Sequence, residues 1–552
     1  MTIEKPLSVV LCWHMHLPKH RDLFKEGYQQ PWVCLHVIKD YINMVDHLEN
    51  NPDARAVINF TPMLLEQIDD YAKQIKSYLH DANALNDPLL AALASRDLPN
   101  NPEQRNFLVK ACLGINKTHL IERFSAYERL ANMSVWITQN PEGSFYLNNQ
   151  YLIDLLVWYH LTSLGETVMH KNIRIQQLMN KAGSFTVQDR RELLSIIGKL
   201  LGSLIERYRR LALQQRIELS MTPYAHPIIP ILLNQGSTSN TCFDINLPLF
   251  KAYPKGKERV HWHLQQGINT FDRYFGFKPQ GFWPSEGSIC TQTITLLDCY
   301  DFKWTASGSN LLMQSLNTKY VKKDHLYQRY QLDNHNIHCF FRDDELSKLI
   351  TFTYSDWPVD DAADDLISKL DKIAKGANIT DSSVISIILD DVYALDDYPQ
   401  NTYSFLEALY QRFSEHPSLK LTTYSKCINH TSDRIPKLVL GSWIYGAFST
   451  WTYSEEKNHA WNILCDAKRC FDYVVKNKKL QKQQLKKAQK QLAICESSEW
   501  FWNSISRNKS DTVSEFECLY CLQISNLYKL LYESPPAYLS ELLAKDGHMS
   551  MA

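Results

Sequence analysis

Glu286 stands in Gly281-Phe282-Trp283-Pro284-Ser285-Glu286-Gly287, where a proline limits the backbone, a glycine permits an unusual turn and a large aromatic lies beside a carboxylate. Such a segment can hold a nucleophile. Asp390 ends Ile385 to Leu389, the most apolar strand-like run of the chain, so its carboxyl is expected to be partly desolvated and to carry a raised pKa. A proton donor needs that environment. One carboxylate kept ionised for attack and a second kept protonated to help an oxygen depart are the minimum for cleaving a glycosidic bond. The chain holds 60 Asp and Glu, so the pair gains meaning only from what surrounds it.

A second cluster is Trp13-His14-Met15-His16-Leu17-Pro18, which puts two imidazoles on one face of a continuing strand. Zinc would need at least a third protein ligand, and no His or carboxylate stands at an obvious ligand spacing. Hydrogen bonding to sugar hydroxyls is the better reading, and no metal or cofactor is expected. Cys518-Leu519-Tyr520-Cys521 is a lone C-x-x-C in a helical stretch without a second pair, which argues against a redox or zinc role.

Short apolar, β-branched runs must position these groups: Ser8 to Trp13, Ala56 to Phe60, Ile217 to Met221, Leu349 to Tyr354 and Val384 to Leu389. They lack the alternation of half-exposed strands and read as strands of a parallel sheet covered on both faces. Weaker candidates are Gly281 to Trp283, Phe302 to Thr305 and Leu419 to Thr423. The runs end in His14 and His16, in Asn59 and Thr61, in His226, in Glu286 and in Asp390. A parallel barrel gathers its active site at such C-terminal strand ends. Residues 66–215 show helical periodicity without a convincing strand, so a helical insertion is expected there. The chain after about Lys437 reads as helical to its end, which divides it into a barrel over 1–436 and a helical domain over 437–552. Lys476 to Lys490, rich in Lys and Gln, reads as a solvated helix.

Composition narrows the partner. With 59 Lys and Arg against 60 Asp and Glu, the formal net charge is -1, which offers no basic face for nucleic acid or an anionic membrane. A neutral ligand such as a sugar fits, and 13 Trp and 29 Tyr supply flat faces for pyranose rings. Thirteen cysteines at irregular spacing, no signal-peptide pattern and no long apolar run predict a soluble, cytoplasmic protein.

Five segments, taken in order, are similar to the motifs of glycoside hydrolase family 57, the α-amylase and 4-α-glucanotransferase family. Leu11 to Pro18 resembles its His-x-His strand end and Thr222-Pro223-Tyr224-Ala225-His226-Pro227 its second motif. Phe282 to Glu286 resembles the third, Ile388-Leu389-Asp390 the start of the fourth, and Gly441-Ser442-Trp443 with Phe448-Ser449-Thr450-Trp451 the fifth. The resemblance implies a distorted parallel (β/α)7 barrel whose C-terminal helical region closes over the barrel mouth. It implies a retaining mechanism on α-glucan with Glu286 as nucleophile and Asp390 as general acid. It also implies substrate contacts from His14, His16, His226, Trp283, Trp443 and Trp451. The chain departs from the family pattern at Asp391-Val392-Tyr393, where Gly-Glu-Asn is usual. It departs again at Ala447, where Asn is usual, and at residues 503–507, where an acidic stretch is common.

The expectation is therefore an enzyme that cleaves or transfers α-1,4-glucan through a glycosyl-enzyme. Its rival is a glucan-binding protein of the same fold with weakened or lost chemistry, for which Val392 and Ala447 speak. A third reading, a metal-dependent mannosidase-like enzyme, requires bound zinc.

Overall fold

The computed structural model describes residues 6–25, 27–114, 120–139, 148–233, 252–316, 323–376, 379–380, 382–389, 398, 402–429, 432–444, 446–452, 455–478, 480–502 and 511–539. Asp390, Asp391, Val392, Tyr393 and the 503–507 stretch lie outside them.

Ten strands are described: β1 (Leu7–Met15), β2 (Ala56–Phe60), β3 (Ile217–Met221), β4 (Gly281–Phe282), β5 (Trp304–Gly308), β6 (Tyr330–Leu332), β7 (His338–Arg342), β8 (Val384–Leu389), β9 (Leu419–Leu421) and β10 (Asp433–Ile435). Seven of them, β1-β2-β3-β4-β5-β7-β8, form a closed ring of parallel neighbours, with β8 returning to β1. Closure runs through Arg342 opposite Ser386 on one side of β8 and Trp13 opposite Leu389 on the other. This is the (β/α)7 barrel. β9 pairs with β1 at Leu7 to Val9, while β6 lies antiparallel beside β7.

The strand expected at Leu349 to Tyr354 is helical instead, a π-helical turn over Leu349–Thr353 followed by a 3₁₀ turn. The barrel strand of this region is His338–Arg342. Asp343 decides the difference: its side chain accepts from Leu346 N at 3.0 Å, capping a helix that starts at Asp344 and runs on through the β-branched residues. Phe352, exposed at its surface, has no sheet face to cover.

Side chains alternate about the barrel wall as strand geometry requires. Val9, Leu11, Trp13 and Met15 pack outward against the helices, whereas Val10 and Cys12 join Val57, Trp283, Trp304, Phe340 and Ile388 in a separate interior cluster. His14 and His16 continue the inward parity at the strand's C-terminal end. The opposite end is plugged by Glu218, which accepts from Trp304 Nε1 at 2.6 Å and from Ser425 N at 2.9 Å. Burial pushes the Glu218 carboxyl up, against hydrogen bonds that act the other way.

Between β2 and β3 the described residues hold helices and no strand, from Pro62–Asp81 to the long Val187–Leu213, which packs on the first. Beyond Ile435 the chain forms Glu455–Asn477, Lys482–Cys495, Glu499–Trp502 and Asp511–Leu530. The Lys-rich helix is solvated only in its first half; from Ala488 to Cys495 it is largely buried and packs on Asp511–Leu530. No described helix is long and apolar enough to cross a membrane.

Candidate functional site

The parallel register brings three of the predicted strand ends into direct contact. His14 lies opposite Asn59, and its Nδ1 donates to Asn59 Oδ1 at 2.7 Å; Asn59 Nδ2 in turn donates to Ser220 Oγ at 2.9 Å. Two residues further along each strand, Thr61 Oγ1 and His16 Nδ1 are 2.9 Å apart. His226, from the turn after β3, stacks on His16 with ring centroids 3.9 Å apart, and its Nε2 is 3.2 Å from His14 Nε2.

His226 Nδ1 lies 2.8 Å from Ser498 Oγ, so a hydrogen-bonded chain runs from Ser498 through His226 and His14 to Asn59. Burial holds His226 well below the usual imidazole range, and the neighbouring His16 and His14 push the same way. His14 and His226 are almost wholly buried, whereas His16 keeps some exposure.

Glu499 is the carboxylate that sequence spacing did not reveal. Its Oε1 lies 3.1 Å from His16 Nε2 and 3.9 Å from His226 Nδ1, so the three side chains could share one ion. Their geometry is poor for a shared ion. The two stacked rings are inclined by only 21°, which sets their in-plane lone pairs side by side, and Ser498 already occupies His226 Nδ1. The signal available in the sequence was Ser497-Ser498-Glu499, a polar triplet just before Trp500-Phe501-Trp502.

Glu286 sits beyond β4, the neighbour of β3, with φ 55° and ψ 30°. This is the left-handed region, unfavourable for a side chain with a Cβ, and His226 adopts it as well at φ 60°. Two neighbouring strands thus end in strained residues that the sequence had singled out. The turn is held by Gly287 N donating to Pro284 O at 2.8 Å, by Ser307 Oγ donating to Gly287 O at 2.6 Å, and by Trp443 N donating to Glu286 O at 3.3 Å. An antiparallel bridge between Ile289 and Gly441 secures the segment that brings Trp443.

The three predicted tryptophans play different parts. Trp443 is half-buried, with the guanidinium of Arg342 4.3 Å from its ring centre. Trp283 belongs to the barrel interior, and Trp451 is enclosed beside Phe448, its carbonyl accepting from Trp461 Nε1 at 3.0 Å. Both are fully buried. Asp390, the residue after β8, lies outside the described residues; Ala447 lies within them and is partly buried.

Close approach of Trp443 to the barrel depends on Gly308 at the end of β5. A Cβ there would stand 2.6 Å from Trp443 Cα and 2.9 Å from its Cβ, and backbone cannot yield as a flexible side chain does. Gly308→Ala is therefore expected to cost about 1–3 kcal/mol in urea unfolding, as overpacking does, and to shift Trp443. An unchanged unfolding midpoint would show that this contact is slack.

Among curated proteins, a sequence search returns no match. Solved structures share the fold across nearly the whole chain. The family 57 branching enzyme of Thermococcus kodakaraensis has a TM-score of 0.58 at 14% identity, covering 98% of this chain and 94% of that one. The α-amylase AmyC of Thermotoga maritima gives 0.57 at 14% identity, with 99% and 98% covered. The 4-α-glucanotransferase of Thermococcus litoralis gives 0.51 at 12% identity, with 96% and 61% covered. The model of glycosyl hydrolase family 57 matches residues 10–438, from β1 across every strand of the barrel, and the chain belongs to that family.

Proposed function

We propose that this protein cleaves or transfers α-1,4-linked glucan with retention of anomeric configuration. The observation that carries the reading is Glu286, held in a strained backbone at a barrel strand end and tied through its carbonyl to Trp443. Membership of family 57 supports it, as does the shared fold with a branching enzyme, an α-amylase and a 4-α-glucanotransferase.

On this reading the ionised Glu286 attacks the anomeric carbon while Asp390 gives its proton to the glycosidic oxygen, so one C–O bond forms as the other breaks. The glycosyl ester is then released when Asp390, now a carboxylate, takes a proton from water or from an acceptor sugar hydroxyl that attacks the same carbon. The two carboxyls should stand about 5–5.5 Å apart in the working enzyme. His16, the least buried of the three imidazoles, meets substrate hydroxyls, with His14 and His226 packed against its ring. Trp443 walls the subsite, and Trp283 and Trp451 brace it. Residues 1–436 form the catalytic barrel, and 437–552 complete the cleft.

A second reading, glucan binding without turnover, is favoured by Ala447 and by the burial of His14 and His226 under Ser498 and Glu499. Incubation with maltoheptaose and with glycogen separates the two. Redistribution of chain lengths, with the α anomer formed first by NMR, is the expected result. Bound glucan with unaltered chain lengths would support the second reading, and neither binding nor turnover would remove both.

A further inference from the structure

A cavity of about 300 Å³ opens between the barrel and the helix Lys482–Cys495, lined by none of the site residues described above. Its walls come from four separate segments. Lys19 and Arg21 follow β1, Glu66 lies on the helix Pro62–Asp81, Tyr224 precedes His226, and Lys487 and Lys490 lie on Lys482–Cys495. Four cations thus face a single carboxylate.

Among the described residues, carboxylates pair with two of the four. Lys490 pairs with Glu66 Oε1 at 2.7 Å, and Arg21 Nη1 pairs with Asp70 Oδ2 at 2.7 Å. The second Glu66 oxygen accepts from Tyr224 OH at 2.8 Å. Among the described residues no carboxylate lies within ion-pairing distance of Lys19 or Lys487, so the described walls hold more cations than carboxylates. Burial pulls the Lys19 ammonium below the usual lysine range, with Arg21 and Lys490 acting the same way against Asp70 and Glu66. An incoming anion removes this imbalance.

The walls are held in place before any ligand arrives. Gln523 Nε2 donates to Lys19 O at 3.3 Å and to Arg21 O at 3.2 Å, and Asn526 Nδ2 donates to Asp22 Oδ1 at 3.2 Å. Gln491 Nε2 donates to Gln523 O at 2.8 Å, so the helix Asp511–Leu530 fixes the loop and the lysine-bearing helix against each other. Fixed donors around a small volume lower the ordering penalty on binding.

We propose that this cavity binds a phosphate monoester of a small sugar. The phosphate sits between Lys19 and Lys487, within reach of the Arg21 charge, while sugar hydroxyls meet Glu66 and the Tyr224 hydroxyl, where a second anionic group would be repelled. The volume lies at the small end of ligand cavities, about 300–1,000 Å³, and exceeds what a bare phosphate fills. The position gives the site leverage. Lys19 follows His16 by three residues, Tyr224 precedes His226 by two, and Lys490 lies on the helix that leads to Ser498. A bound ester ties together the three segments that supply the imidazole chain.

Thermal unfolding of the full chain tests the assignment, with glucose 1-phosphate, inorganic phosphate, glucose and sodium chloride compared at matched ionic strength. The sugar phosphate is expected to raise Tm saturably, with glucose and chloride inactive and inorganic phosphate weaker. Lys487→Ala, at an exposed position that folding does not require, and Lys19→Met should each weaken the apparent affinity by about tenfold. No saturable shift, a shift that both variants retain, or an equal response to inorganic phosphate would each overturn the proposal.

Discussion

Glu286→Gln is expected to lower turnover on maltoheptaose by a factor on the order of 10⁴ or more, with the effect in kcat rather than KM. The amide keeps the shape and the backbone bonds of Glu286 but cannot form the glycosyl ester. The left-handed backbone supplies a second, independent readout. At φ 55° a glycine is free of the Cβ clash, so Glu286→Gly should unfold later than wild type by roughly 1 kcal/mol, because that clash costs about 1–2 kcal/mol per residue. A variant more stable yet inactive is the signature of strain kept for function. Azide supplied to Glu286→Gly should enter the space left by the carboxylate and yield a glycosyl azide of inverted configuration. Turnover by Glu286→Gln within tenfold of wild type would end the nucleophile assignment, whatever the stability data show.

The parts of this site that were legible in the sequence are those that strand register dictates. His14 and Asn59, and likewise His16 and Thr61, could be read as strand ends because each follows an apolar run, and parallel pairing of β1 with β2 sets them side by side. Ser498 and Glu499 were not legible. Ser498 reaches His226 from 272 residues away, and no local periodicity says which distant loop arrives at a barrel mouth. The same limit hides the Arg342 guanidinium over Trp443, because the strand it ends carries no clear apolar pattern. That strand, His338–Arg342, is short and ends in charge, whereas Leu349–Thr353 has the β-branched look of a strand and is drawn into a helix by the Asp343 cap. Fold class survived the exchange because either segment supplies one strand between β5 and β8.

Glu496→Gln is expected to lower the unfolding free energy by about 3–5 kcal/mol, the range for breaking a buried ion pair from one side. Glu496 accepts from Arg259 Nε at 2.8 Å and Nη2 at 2.7 Å, from His263 Nε2 at 2.7 Å and from the Tyr253 hydroxyl, and none of these groups is exposed. Burial by itself would push this carboxyl up; the Arg259 charge and the bonds from His263 and Arg259 overturn that and hold it at about 2. A carboxyl depressed in the folded state gives stability that is complete above its unfolded pKa, near 4.3, and is lost as pH falls from there toward about 2. His263, held below the usual imidazole range chiefly by burial, adds a loss in the same direction that begins as pH falls through about 6.5. Urea unfolding of wild type should therefore show a steep decline below about pH 4.3 that Glu496→Gln lacks, its amide having no proton to take up there. The double replacement Arg259→Met with Glu496→Met strands no charge and should be less destabilised than either single change. Function should follow the anchor as well, since Ser498 comes two residues after Glu496 and its N donates to His226 O at 3.0 Å. If Glu496→Gln unfolds within about 1 kcal/mol of wild type and keeps its acid slope, the ion pair does not hold the C-terminal helices to the barrel. If stability returns in the double variant while turnover does not, Glu496 sets the position of Ser498 and Glu499 beyond its share in holding the fold.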